Sequence, residues 1–259
     1  MEPSFAWPTY PDLAGKVAVV TGGSGALGGA TCRALGANGV RVAVNGRDIA
    51  AIDSVVRDVV EAGGQAMAAP GDCTDATALG AMRDRVVERF GAIDVLVAFA
   101  GGGRPPQPVA EIGEAAWRED VDRNLTSTFL TLTSFVPGMV ERRTGSIITM
   151  ASVAARVPGG APIAYAAAKA GVVAFTQHVA KEVGPSCVRV NCLAPSTVLN
   201  ERMRAQMPDE RRHQLAATFP LGRLGAPTDV AQAALFFASD ASSWITGVTL
   251  DIAGGQVMR

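Results

Sequence analysis

The sequence predicts a doubly wound α/β sandwich, a parallel sheet with helices on both faces. Three observations carry that prediction. Short runs rich in β-branched residues recur along the 259-residue chain, separated by helix-compatible stretches. The runs are apolar throughout rather than alternating, as strands buried on both faces require. The stretches between them open on capping residues. Strand, helix and strand in repeated succession give right-handed crossovers in a Rossmann-type arrangement.

The elements follow in order. Residues 1–12 read as an N-terminal extension, and residues 13–259 as a single Rossmann-type domain. Strands are predicted over 16–21, 40–44, 94–98, 146–150, 188–193 and 248–252, with a weaker one over 65–70, about seven in all. Asp48, Asp75, Glu114 and Thr228 stand at or near helix starts, and Pro227 precedes the last of them. The stretch from Asn200 to Gly225 carries Pro208, Pro220, Gly222 and Gly225 around a charged helix. Following a late strand, it reads as a substrate lid rather than a second domain.

Composition narrows the function. The chain is 48% hydrophobic and 18% charged with a net charge of -1, which excludes a disordered, solvating chain. No Lys/Arg cluster exceeds short pairs such as Arg142-Arg143, so nucleic acid is not the expected partner. The mean hydropathy of +0.23 demands a check for membrane spans. Every apolar stretch is interrupted well short of the roughly 20 residues a spanning helix needs. The N-terminal residues Met1 to Pro8 lack the basic and apolar segments of a secretory signal. A cytoplasmic, soluble protein with no membrane partner is expected. Cys32, Cys73, Cys187 and Cys192 lack metal-ligand spacing and read as buried free thiols, so no metal is expected.

The first strand runs into Thr21-Gly22-Gly23-Ser24-Gly25-Ala26-Leu27-Gly28. A strand emptying into glycines and then a helix builds an anion site, because backbone N–H groups and the helix N-terminus face a pyrophosphate. Gly23 to Gly28 is literally Gly-x-Gly-x-x-Gly. The mononucleotide alternative ends in Gly-Lys-Ser/Thr, and this turn has no lysine. The second strand ends Asn45-Gly46-Arg47-Asp48. An acid at this strand end suits the ribose hydroxyls of NAD, whereas a base suits a 2′-phosphate. Arg47 and the absence of a carboxylate at Asn45 and Gly46 favour NADP(H) over NAD(H). Asp48 is the rival ribose ligand, with a helix cap as its ordinary explanation.

Tyr165-Ala166-Ala167-Ala168-Lys169 places a phenol and an ammonium at i and i+4 on one helix face. A cation near the phenol is expected to lower its pKa from about 10 toward the working range. Ser152 ends a predicted strand thirteen residues before Tyr165. Asn124 stands in Arg123-Asn124-Leu125, Pro195 follows Val190-Asn191-Cys192-Leu193-Ala194, and the C-terminal region carries Thr246-Gly247, Leu250-Asp251 and Gly254-Gly255.

In this ordered set the chain, from about Leu13 to Met258, resembles the classical short-chain dehydrogenase/reductase family. The resemblance implies an oxidoreductase that moves a hydride between a nicotinamide cofactor and a ketone or secondary alcohol. It implies that Tyr165 is the general acid or base, Ser152 the group that binds the substrate oxygen, and Lys169 the holder of the nicotinamide ribose. Asn124 would support a water-linked proton path to Lys169. It also implies a cofactor site of Gly22, Ser24, Gly25, Ala26, Leu27, Gly28, Asn45, Gly46, Arg47, Asp72, Cys73, Phe99, Ala100, Gly101, Tyr165, Lys169, Pro195, Ser196, Val198 and Asn200.

Several positions depart from the family pattern. Ala26 replaces the middle glycine of the turn, and Ala98-Phe99-Ala100-Gly101 stands for Asn-Asn-Ala-Gly, which places Phe99 near the adenosine ribose. Ser196 replaces a glycine after Pro195, and Asn200 stands where a threonine often meets the carboxamide. The helical stretches 125–140 and 165–183 are apolar nearly all round, which calls for a partner on the outer face; the resemblance makes that partner another copy and the assembly a homotetramer. Two variants remain open. A 3-oxoacyl thioester reductase would use Arg202, Arg204, Arg211 and Arg212 toward an acidic carrier protein, although Glu201, Asp209 and Glu210 among them also fit a solvated helix. A non-catalytic dinucleotide-binding regulator would be expected to have lost Tyr165 or Lys169.

Overall fold

The computed structural model describes residues 6–258, apart from the side chain of Arg202. Met1 to Phe5 of the expected extension, and Arg259 at the end of the expected domain, lie outside the described residues. Seven strands form one parallel sheet: β1 (Val17–Thr21), β2 (Arg41–Val44), β3 (Gln65–Ala68), β4 (Val95–Ala98), β5 (Gly145–Met150), β6 (Val188–Pro195) and β7 (Thr249–Ile252). Their spatial order is β3-β2-β1-β4-β5-β6-β7. The order reverses between β1 and β4, and ligands of such sheets bind where that reversal opens a crevice at the strand C-termini.

Both sheet faces are covered, which explains why the strands read as continuous apolar runs. Ala18, Val20, Val42, Val44, Val97 and Ile148 face one core with helices α1 (Ala26–Ala37), α2 (Ile49–Glu61) and α9 (Pro227–Ala238). Val17, Val19, Ala43, Leu96 and Ile147 face the other. Helices α3 (Ala76–Phe90), α5 (Ser127–Arg142) and α6 (Ile163–Val183) cover that side. The helix starts follow local chemistry. Asp48 accepts from the Ala51 amide at 3.1 Å, and Asp75 accepts from Thr77 and Ala78 at 2.8 and 3.2 Å.

After β6 the chain leaves the sandwich through α7 (Glu201–Gln206) and α8 (Asp209–Ala216). It returns to its starting point. Leu199 donates to the Gly225 carbonyl at 2.8 Å, and Gly225 donates to Thr197 at 3.0 Å, so a Val198–Gly225 bridge closes the base of the excursion. Among the described residues no helix is long and apolar enough to cross a membrane. The expectation of four buried thiols needs one correction: Cys187 is exposed, in a left-handed backbone position just before β6. A turn, rather than the strand, sets its direction.

The β1–α1 turn admits no freedom at two glycines. Gly22 has φ +64°, and a Cβ there would lie 2.9 Å from the Phe99 carbonyl oxygen. A Cβ on Gly28 would fall 2.2 Å from the Gly22 oxygen, which is backbone and cannot swing away. Gly28→Ala is therefore expected to destabilise the protein by about 2–3 kcal/mol, measured as a lowered denaturant midpoint with unchanged m-value.

Candidate active site

A cleft of about 1000 Å³ opens at the carboxyl ends of β1, β2, β4 and β5. The expected residues Gly22, Ser24, Gly25, Ala26, Leu27, Gly28, Asn45, Gly46, Arg47, Asp72, Cys73, Phe99, Ala100, Gly101 and Asn200 all line it. Gly25, the residue before α1, offers no side chain to cap the helix. The first-turn amides of α1 therefore have no side-chain acceptor there, the condition for binding a phosphate at a helix N-terminus. Ala26 occupies the first helical position with its methyl exposed, and helical backbone tolerates it. A glycine cradle, open amides and a long cleft fit a dinucleotide.

At the adenosine end, the strand-end side chains divide their work. Asn45 is buried and turned inward: its amide donates to the carbonyls of Ala69 (2.9 Å) and Gly71 (3.1 Å), and its oxygen accepts from the Cys73 thiol at 3.2 Å. It braces β2 against the loop after β3, so the backbone rather than the amide of Asn45 meets the cleft. Burial pushes the Cys73 thiol up to about 11. Arg47 is exposed at the cleft. Asp48 spends its carboxylate on the α2 cap. Asp72 is held below the ordinary carboxylate range first by the Thr74 amide and hydroxyl, at 2.8 and 2.7 Å, and further by the Arg47 charge. The Phe99 side chain, expected near the ribose, packs instead into the core with Val20 and Val97, while its backbone lines the cleft.

At the other end the four catalytic candidates converge. Ser152 follows β5; its hydroxyl donates to the Pro195 carbonyl at 3.4 Å and accepts from the Ala154 amide at 3.2 Å. The same hydroxyl acts on the Tyr165 phenol, where it opposes the rise in pKa that burial causes. Lys169, one turn beyond Tyr165 on α6, is buried, and its Nζ donates to the Met150 carbonyl at 2.7 Å. That nitrogen lies 5.6 Å from the centre of the Tyr165 ring. Asn124 sits in a π-helical segment, Asp122–Thr126, that joins α4 (Glu114–Val121) to α5. Ser127 donates to the Arg123 carbonyl and Thr128 to the Asn124 carbonyl, at 2.7 and 2.8 Å, the bond to the carbonyl four residues back that Ser and Thr make within helices. The Asn124 side chain clasps Gly102, accepting from its amide and donating to its carbonyl, both at 3.0 Å. A Cβ on Gly101 would meet Asn124 Oδ1 at 2.6 Å and Lys169 Nζ at 3.2 Å, so these two groups share the space beside that glycine.

One electrostatic expectation is corrected. Burial raises the Tyr165 pKa, and the Ser152 hydrogen bond only opposes that shift; Lys169 is not among its causes. Burial also pulls Lys169 down to about 8, with the nearby Cys192 thiol opposing. Desolvation is the largest cause in both groups. Of the expected site residues, Asn124, Ser152, Tyr165, Lys169, Pro195, Ser196 and Val198 do not themselves line the main cleft, whereas Asn200 does. Pro195 closes β6 and accepts from Ser152. The Val198 chain forms the bridge to Gly225. Ser196 faces a second cleft beside Asp251 and Gly254 and hydrogen-bonds Gln256. Asn200 caps α7 by accepting from Met203 at 2.8 Å. Sequence reasoning missed Arg118, Glu119 and Arg123, which line the cleft from α4 and the π segment. The local pattern, Glu114 with Arg118 and Glu119 with Arg123 at i and i+4, is that of surface ion pairs.

Fold and cleft together define a dinucleotide-binding α/β protein of the doubly wound class. A family model described as "Enoyl-(Acyl carrier protein) reductase" matches residues 23–256. A cis-4-hydroxycyclohexanecarboxylate dehydrogenase of Sinomonas cyclohexanicum is 37% identical over 244 residues, covering 94% of this chain and 97% of that protein. The 3-oxoacyl-[acyl-carrier-protein] reductase FabG of Chlamydia pneumoniae is 35% identical, with the same coverage of both chains. A solved 3-oxoacyl-[acyl-carrier protein] reductase with bound NAD from Brucella melitensis superposes with a TM-score of 0.89 at 32% identity, covering 100% of this chain and 99% of that one. The chain belongs to the classical short-chain dehydrogenase/reductase family, nicotinamide-dependent oxidoreductases acting on CH–OH and C=O groups.

The Lys169 shift has a sign that can be measured. Below about pH 8 the ammonium is charged in both folded and unfolded chains, and the folded protein bears the full desolvation penalty. As pH rises from 8 to 10.5 the folded protein binds fewer protons than the unfolded chain, so stability rises. The stability of Lys169→Met relative to wild type should therefore fall by about 3 kcal/mol between pH 7 and pH 10.5. Paired denaturant titrations check this, and differencing removes the opposing contribution of the buried cysteines.

Proposed function

We propose that the protein is an NADP(H)-dependent reductase of ketones, reversible toward secondary alcohols, with Tyr165, Ser152, Lys169 and Asn124 as its catalytic residues. The observation that carries this reading is that Asn124 and buried Lys169 meet beside Gly101 while the Tyr165 ring stands beside Gly103, one turn before Lys169 on α6. When bound, the nicotinamide supplies or accepts the hydride. In reduction Tyr165 gives its hydroxyl proton to the substrate oxygen; in oxidation it takes that proton back. Ser152 donates a hydrogen bond to the same oxygen and stabilises the charge that develops there. Lys169 holds the nicotinamide ribose and, as an ammonium, would favour the phenolate. Asn124 keeps the Gly101–Gly103 backbone in place and supports the route by which Lys169 recovers its proton.

NADP(H) is preferred on charge. Arg47 is the exposed cation at the end of β2, and the competing carboxylate of Asp48 is engaged by the α2 cap. Within this chemistry, a 3-oxoacyl thioester reductase is the second reading. It is supported by the likeness to FabG and by Arg204 and Arg211, which stay exposed on the excursion. Arg212 is taken by the carbonyls of Arg204 and Met207, both at 2.8 Å. The α7–α8 excursion would act as the substrate lid.

The outer faces of α5 and α6 support a homotetramer. Phe129 is 46% exposed and stacks edge-on against Phe175, and Ile163 is 44% exposed. Such apolar area on adjacent helices fits a second copy.

Tyr165→Phe should abolish ketone reduction while leaving NADPH binding within about twofold. In the same fluorescence titration, Arg47→Ala should weaken NADPH binding by about 10- to 100-fold, consistent with loss of a charge-assisted contact, and leave NADH unchanged. Turnover by Tyr165→Phe, or an Arg47→Ala effect equal for both dinucleotides, would refute the respective assignment. Sedimentation should give a species of four chains at micromolar concentration; a monomer would rule the tetramer out.

A further inference from the structure

Among the described residues only two Asp, Glu, Lys, Arg or His residues are buried: Lys169 and Asp120. The mechanism uses the first and leaves the second unexplained. Asp120 lies near the end of α4, and its carbonyl accepts from Asn124 Nδ2 at 2.9 Å. Its carboxylate is 6% exposed. Burying a carboxylate is unfavourable unless a cation meets it, and an apolar residue would pack there at lower cost. Oδ1 has no hydrogen-bond partner, and the cation beside it is Arg104, whose Nε lies 3.5 Å away. Arg104 also contacts Glu119, which contacts Arg123 in turn. Those outer pairs are solvated and contribute little; the pair with Asp120 reaches inside.

Arg104 ends the segment Gly101-Gly102-Gly103. Three glycines in succession have no stiffness of their own, and Gly101 and Gly102 both have positive φ. Yet this segment forms the wall facing the catalytic tyrosine: a Cβ on Gly103 would lie 3.5 Å from the Tyr165 ring. Its position depends on what holds it from outside. Asn124 clasps Gly102 from one side, and Asp120 anchors the end through Arg104. Both clasps come from the same turn of helix around the π segment.

We propose that Asp120 is a positioning residue: through Arg104 it holds the Gly101–Gly103 wall against Tyr165 and so fixes how the substrate carbonyl is presented. The proposal rests on the carbonyl chemistry proposed above. Small displacements at such a wall are expensive, because catalysis depends on reacting groups held within a fraction of an ångström.

The test uses the full-length protein with Asp120→Asn, Arg104→Ala, Arg104→Lys and the Asp120→Asn/Arg104→Ala double variant, all well below their melting temperatures. Without cofactor, amide hydrogen exchange at Gly102 should quicken at least about tenfold in Asp120→Asn and Arg104→Ala. With a ketone that the wild type reduces, kcat/KM should fall about 10- to 100-fold, with the dissociation constant for NADPH within about twofold of wild type. The double variant should be no worse than the worse single variant, as expected of residues acting as one unit. Arg104→Lys should recover most of the loss. A lowered melting temperature with kcat/KM within twofold of wild type would reduce the pair to a structural one and overturn the proposal; so would losses that add in the double variant. Should Asp120→Asn fail to fold, the partly exposed Arg104 carries the test alone. A wild type that reduces no ketone would count against the catalytic reading, and Gly102 exchange would still decide whether the wall is held by this pair.

Discussion

Lys169 is a cation buried at the carboxyl edge of a parallel sheet, and the site around it is arranged to tolerate that burial. An ammonium taken out of water needs acceptors, and the last carbonyl of β5 supplies one. The same requirement places α6 against the end of β5, which brings Tyr165 beside Ser152 at the strand's exit. It also draws in the Gly101 backbone, since no larger residue fits between Lys169 and Asn124. One buried charge thus ties together β5, α6, the loop after β4 and the π segment.

The dinucleotide end obeys a different constraint, that of backbone approaching backbone. Gly22 and Gly28 let β1 turn into α1 without a side chain between them, which leaves the α1 amides facing the cleft. Where side chains do occur, they mostly face away from it. Asn45 and Phe99 spend their side chains on the loop after β3 and on the core, and give the cleft only their main chain. Arg47 is the exception. It stands exposed because the strand has ended and Asp48, committed to the α2 cap, has already fixed where the helix begins.

Much of this was legible in the sequence because it depends on local pattern. The buried strands declared themselves as unbroken apolar runs, and β3 read weakly because it is an edge strand whose residues Gln65 to Ala68 are only partly covered. The caps at Asp48 and Asp75 depend on three residues each and were readable for that reason. The Tyr165–Lys169 spacing needs only a helix. What escaped depends on contacts between distant segments. Nothing near Asn45 in the chain announces that its amide will meet Ala69 and Gly71, and nothing near Asp120 announces Arg104. The raised Tyr165 pKa escaped for the same reason: spacing reports that a cation is near, whereas burial is decided by everything packed around the pair.

Some of the buried polar groups share a location. Asn124, Asp120, Lys169 and the hydroxyls of Ser127 and Thr128 are all buried polar groups, and all lie around the π segment and the facing side of α6. A fold selected for stability alone would fill such a region with apolar side chains and a regular helix. Here Asn124, in the π turn, reaches across to Gly102. Buried polar groups elsewhere, such as Asn45 and Asn191, are spent on bracing one segment against another, and the frame they help fix is what allows a glycine-only wall to hold its position opposite Tyr165.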